Sequence, residues 1–148
     1  MKKTRSMLAI SVLGVMLLAG MNSAIASEGL TIGYWKNHTD GGEWVGYSTD
    51  QTLEDVFDLP AAYEHLDATL LEALKFKGGR DLDGAARLLL KQAVAALLNI
   101  AHPDIKYSMS ENDLFSDVNH ALTYYGSDRG MILKLKDLLD GWNNKGLD

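Results

Sequence analysis

Residues 83–103, DGAARLLLKQAVAALLNIAHP, constrain this chain more than any other stretch. Leu82, Ala85, Ala86, Leu89, Ala93, Val94, Ala96, Leu97 and Ile100 recur at spacings of three and four, which places them on one side of a helix. Leu88, Leu90, Ala95 and Leu98 fill the other sides. A helix that is apolar nearly all round has to be covered from every direction, so the rest of the chain must wrap it. Arg87, Lys91 and Gln92 argue against a bilayer span, and Pro103 stops the helix because its ring clashes with the preceding turn and it has no N–H to donate. The expectation is a buried axial helix over 83–101.

The other segments read as its wrapping. Thr52 suits the N-cap of a short helix through Phe57, with Asp55 in its first turn. Pro60 opens a second short helix, PAAYEHL, and Asp67 is expected to cap a third over 68–74 that Gly78-Gly79 ends. Ser110 with Asp113 has the capping-box form and starts a helix running to about Tyr124. Ser127 or Asp128 caps the last helix, whose apolar stripe is Met131, Leu135, Leu138, Leu139 and Trp142. Residues 27–46, with five glycines, read as loop. No segment alternates convincingly with the period of a strand. The fold class expected is all-α: one compact domain over 27–148, about five helices around 83–101, with an N-terminal aromatic loop packed back on the core.

The first 26 residues stand apart. Lys2, Lys3 and Arg5 precede an apolar run from Met7 to Met21, and Ala24-Ile25-Ala26 supplies small residues at a cleavage site. That is the pattern of a secretory signal peptide cleaved after Ala26. The apolar run is about 15 residues, short of the ~20 that cross a bilayer, so no membrane span is expected after cleavage. The destination is the periplasm or the exterior.

Cleavage removes three cations, taking the formal charge from −6 to −9. So acidic a chain repels nucleic acid and anionic lipid, and its basic residues gather only at Lys75, Lys77 and Arg80; no nucleic-acid partner is expected. There is no cysteine. An exported domain without disulfides has to hold by its core, by a metal ion or by a partner. Thiol nucleophiles, thiolate zinc sites and iron–sulfur ligation are excluded.

The stretch Gly33-Tyr34-Trp35-Lys36-Asn37-His38 carries the densest chemistry. Each large aromatic here joins an apolar body to one polar handle. Two readings follow. In one the stretch is a clasp: Trp35 enters the core while Asn37 and His38 bond backbone ends. In the other, Tyr34, Trp35, Asn37 and His38, with Trp44 and Tyr47 nearby, form an exposed platform for sugar rings or a protein partner. Asn37-His38-Thr39 also has the form of a glycosylation sequon, which a bacterial type of signal discounts.

Three of the four histidines precede an aspartate by two: His38 and Asp40, His65 and Asp67, His102 and Asp104; His120 has Asp117 one helical turn before it. Histidine suits helix C-termini and aspartate the next N-cap, so the pattern marks helix junctions. Imidazole with carboxylate is also a ligand set for zinc or another divalent ion, which makes His38, Asp40, His102 and His120 candidate metal ligands. Asp81 and Asp83 lack the full calcium-loop pattern. No Gly-x-Ser-x-Gly elbow, His-Glu-x-x-His or phosphate loop occurs. Glu54, Glu64, Glu72 and Asp81 are the carboxylates from which a glycosidase-like pair could be drawn.

Taken with Ser48-Thr49-Asp50, the Leu70–Leu74 stretch, Gly78-Gly79, the helix ending Asn99-Ile100-Ala101-His102-Pro103 and the closing Asn143-Asn144-Lys145-Gly146, the motif resembles the GYWKNH-motif family of small secreted bacterial proteins. The resemblance spans the mature chain and implies no settled activity and no catalytic residues. Members often carry cysteines before the motif and after Asn-Asn-x-Gly, able to tie the two ends. This chain has EGLTIGYW and NNKGLD there, so packing must replace the tie, with Trp142 the expected partner of the clasp. The function expected is that of an exported, non-catalytic binding or structural protein with a protein or glycan partner at the cell surface. A divalent-metal-binding protein is the alternative, and a carboxylate-dependent cell-wall or polysaccharide hydrolase the second.

Overall fold

The computed structural model describes residues 27–147. The signal-peptide expectation for residues 1–26 lies outside them. Among the described residues the chain is helical, with no strand: α1 (Ile32–Asn37), α2 (Leu53–Phe57), a 3-10 helix (Ala61–Leu66), α3 (Leu70–Ala73), α4 (Leu82–Ala101), α5 (Glu111–Thr123) and α6 (Arg129–Asn143). The all-α expectation holds, with α4 at the centre.

The side-chain pattern of α4 explains that position. From Leu89 to Asn99 every residue but Lys91 is buried, and α1, α3, the 3-10 helix, α5 and α6 all pack on this one element. By length and composition α4 could cross a membrane, but 72% of its most apolar window is buried inside the protein, so its lipid-like surface is spent on its neighbours. Each enclosed leucine contributes roughly 1.5–3 kcal/mol relative to exposure. The helix begins where Asp81 accepts from the Gly84 N–H at 2.7 Å and ends with His102 in an extended C-cap. Its first turn lies against the backbone of the preceding loop: a Cβ on Gly84 would stand 2.3 Å from the Gly79 nitrogen.

The caps read from sequence largely stand. Thr52 accepts from Asp55, Ser110 from Asp113 and Asp128 from Met131, each at 3.1 Å. Two expectations need correction. The helix after the 3-10 segment is capped by Thr69, whose capping box with Glu72 is complete, while Asp67 accepts from the Glu54 N–H of α2. Residues 27–46 are not all loop: Ile32–Asn37 form α1, because the Thr31 hydroxyl takes the Tyr34 N–H and caps the first turn.

Candidate functional site: the N-terminal clasp

The motif is this helix. Only Trp35 among its residues is fully buried, sealed against the core; Gly33, Asn37 and His38 are exposed, and Tyr34 and Lys36 half-buried. The platform reading of Tyr34, Trp35 and Trp44 therefore loses its central ring, and the clasp arrangement is what the side chains adopt. Tyr34 meets Trp35 edge-on at 5.2 Å and stacks on His38 at 3.9 Å. Asn37 donates to Gly33 O and the His38 Nδ1 bonds Tyr34 O, so both close the helix end from which they project. Trp44 folds over the top and donates its indole N–H to Trp35 O at 3.3 Å.

Glu43 ties this helix to the end of α4. Its Oε2 accepts the Tyr34 hydroxyl at 2.8 Å and faces His102 Nε2 at 3.8 Å. The His102 Nδ1 accepts the Asp104 N–H, which leaves the ring proton on Nε2, directed at Glu43. The bond to a carboxylate pushes the Tyr34 phenol above its ordinary pKa, since ionising it would remove the donor and set two anions together.

Beneath the clasp lies a buried amide relay. Asn99 of α4 accepts the Leu30 N–H at 2.7 Å and donates to Leu30 O at 2.9 Å, pairing with the entering strand of chain as a backbone would. The same amide donates to Asn143 Oδ1, which also accepts the Tyr107 hydroxyl; Asn143 Nδ2 donates to Gln92 O and Oε1, and Gln92 reaches Asp140. Asn99 and Asn143 are fully enclosed, and every polar atom of their side chains is engaged. Burial also pushes the Tyr107 phenol far up, which keeps it a neutral donor to Asn143. A step further out, Gly29 and Gly146 pair as an antiparallel bridge with both N–H···O contacts at 3.0 Å. That backbone bridge joins the two ends of the domain. Trp142 is not the partner of Trp35; it meets Tyr107 edge-on at 6.0 Å.

The histidines keep to helix junctions. His38 and His102 are the C-caps of α1 and α4, and His65 ends the 3-10 helix, where Nε2 lies 2.7 Å from Asp83. His120 is on α5, stacked at 5.1 Å on Tyr124. Among the described residues no three histidine or carboxylate side chains form a group able to hold a metal ion, so His38, Asp40, His102 and His120 are not brought together as one. Three of the four hydrolase carboxylates are spent on backbone: Glu54 accepts from Leu59, Glu72 from Thr69 and Asp81 from Gly84, while Glu64 is exposed on the 3-10 helix.

Sequence reading passed over an exposed cluster at the C-terminal end of α5. Tyr124 is 76% exposed, and Tyr125 and His120 pack around it edge-on and face-on at 5.1–5.5 Å. The tandem Tyr124-Tyr125 ahead of Gly126 was the available signal. No family model, no curated protein and no solved structure matches the chain.

Proposed function

We propose that this is an exported, non-catalytic binding protein of the cell surface or periplasm, whose motif residues build the scaffold and whose partner is a glycan. The observation that carries the reading is how the motif is used: Trp35, Asn99, His102 and Asn143 are all engaged internally, and Glu54, Glu72 and Asp81 accept backbone N–H groups. The contact surface is Tyr124 with Tyr125 and His120. Three rings with polar tips match the face of a sugar ring and fall far short of the ~800 Å² per partner of a stable protein interface.

Expression of the full chain in a bacterial host tests both halves. Export predicts an N-terminus at Ser27 in the periplasmic or extracellular fraction. Glycan binding predicts retention on isolated cell-wall polysaccharide that Tyr124→Ala with Tyr125→Ala abolishes at unchanged melting temperature. A cytosolic, uncleaved chain would end the export reading. Turnover of the polysaccharide would replace binding by hydrolysis.

A further inference from the structure

Residues 28–30 have little free backbone. The Glu28 N–H donates to Lys106 O at 2.9 Å, and the Glu28 carboxylate accepts the Lys106 N–H in return, also at 2.9 Å. The Gly29 N–H and carbonyl both bond Gly146, each at 3.0 Å. The Leu30 N–H and carbonyl are both taken by the enclosed Asn99 amide, at 2.7 and 2.9 Å. Burial follows the bonding. Glu28 is 8% exposed, and a Cβ on Gly29 would stand 2.2 Å from Trp142 O. Ser27 is half-buried, with its hydroxyl sealed in and unpartnered.

A peptidase takes its substrate as an extended segment, through the same backbone N–H and C=O groups that a strand offers a neighbour. Susceptibility to cutting therefore follows the exposure and hydrogen bonding of the backbone around the scissile bond. The bond between Ala26 and Ser27 runs directly into the docked segment. Seating residues 27–30 in a peptidase cleft requires Glu28 to leave Lys106, Gly29 to leave Gly146 and Leu30 to leave Asn99. Those three partners come from the segment after α4, the far end of the domain and the axial helix itself. Docking is thus complete only when nearly the whole domain has folded, and undocking opens the closure between its ends.

We propose that the Ala26–Ser27 junction is a folding-gated processing site: a signal peptidase cuts it only while residues 27–30 are undocked. Cleavage then precedes closure of the domain, and a chain that folds first keeps its leader. Asn99, Lys106 and Gly146 form the lock. The inference rests on the export reading above, in which this bond is the one cleaved.

The test uses the full chain in detergent micelles with a purified bacterial signal peptidase, and mass spectrometry counts termini at Ser27. The parent chain is diluted from urea either onto the enzyme or into micelles that receive the enzyme only after refolding. A second precursor carries about eight glycine and serine residues between Ser27 and Glu28, which move the junction away from the lock and leave the domain intact. Cutting of a folded chain tracks the population of its open form, so the refolded parent should be cut at least about tenfold more slowly than the refolded spacer precursor. Asn99→Ala, which frees the Leu30 backbone, should speed cutting of the refolded chain; if that variant fails to fold, the spacer precursor decides. A refolded parent cut as fast as the spacer precursor, or a folded Asn99→Ala chain cut no faster than the parent, overturns the lock and leaves the export reading standing. No Ser27 terminus from either the spacer precursor or the parent diluted onto the enzyme ends the signal-peptide reading, and the inference with it.

Discussion

Trp35 is enclosed on every side, yet its indole N–H has no acceptor. Its contribution is therefore packing, not a polar bond. Trp35→Ala should cost about 3–5 kcal/mol in a denaturant melt, as large buried aromatics do. Trp35→Phe, which removes the unpartnered N–H along with less volume, should cost clearly less. Equal losses would mean that the N–H is engaged after all. Asp117 on α5 presents the opposite case: an enclosed carboxyl whose Oδ2 has no partner, pushed up to about 7 by burial with a smaller push from Asp113. Its pKa in the fold exceeds the unfolded value, so between about pH 4 and 7 the folded state binds a proton that the unfolded chain releases. Stability is therefore expected to rise as pH falls through 7 toward 4. Asp117→Asn should be the more stable form at pH 8, by at least about 1 kcal/mol, with the gap closing near pH 4. A gap that does not change with pH would show the carboxyl to be solvated.

Among the elements, α4 was legible because its periodicity is long and its apolar residues cover the whole circumference. α1 was not. Six residues with a glycine at the second position carry too little period to read, and its cap, Thr31, looks like any loop threonine until the chain places its hydroxyl under the Tyr34 N–H. The contact between the 78–79 loop and α4 is equally invisible in sequence, although it dictates residue 84. Gly84→Ala, a change that favours an isolated helix, should destabilise here because its Cβ would enter the Gly79 backbone. A melting temperature at or above that of the parent chain would show the loop able to retreat.

Across the whole molecule, the ends are joined by noncovalent means: the Gly29–Gly146 bridge outside and the Asn99–Asn143 relay inside. Asn143→Ala leaves the Asn99 amide, the Tyr107 hydroxyl and Gln92 short of partners, and should cost about 2–4 kcal/mol, since several buried groups lose bonds at once. Hydrogen exchange reads the same closure. The Gly29, Leu30 and Gly146 amides should be protected together with those of α4 in the parent chain and lose that protection together in Asn143→Ala. Rapid exchange of these three amides in the parent chain would mean that the ends fray independently.

The amino-acid order alone determined the helical class, the axial position of residues 83–101 and most caps, because periodicity and capping are local properties that a few consecutive residues express. Long-range pairing was decided only in three dimensions. Asn99 and Asn143 are 44 positions apart, and nothing near either announces the other; Glu43 joins Tyr34 to His102 only once the chain has turned back. The same holds for Tyr34, Trp35 and Trp44. Their composition suits a binding platform and a core plug equally well, and what selected the plug was the direction in which α1 enters the fold, with Trp35 toward α4 and Asn37 and His38 toward water.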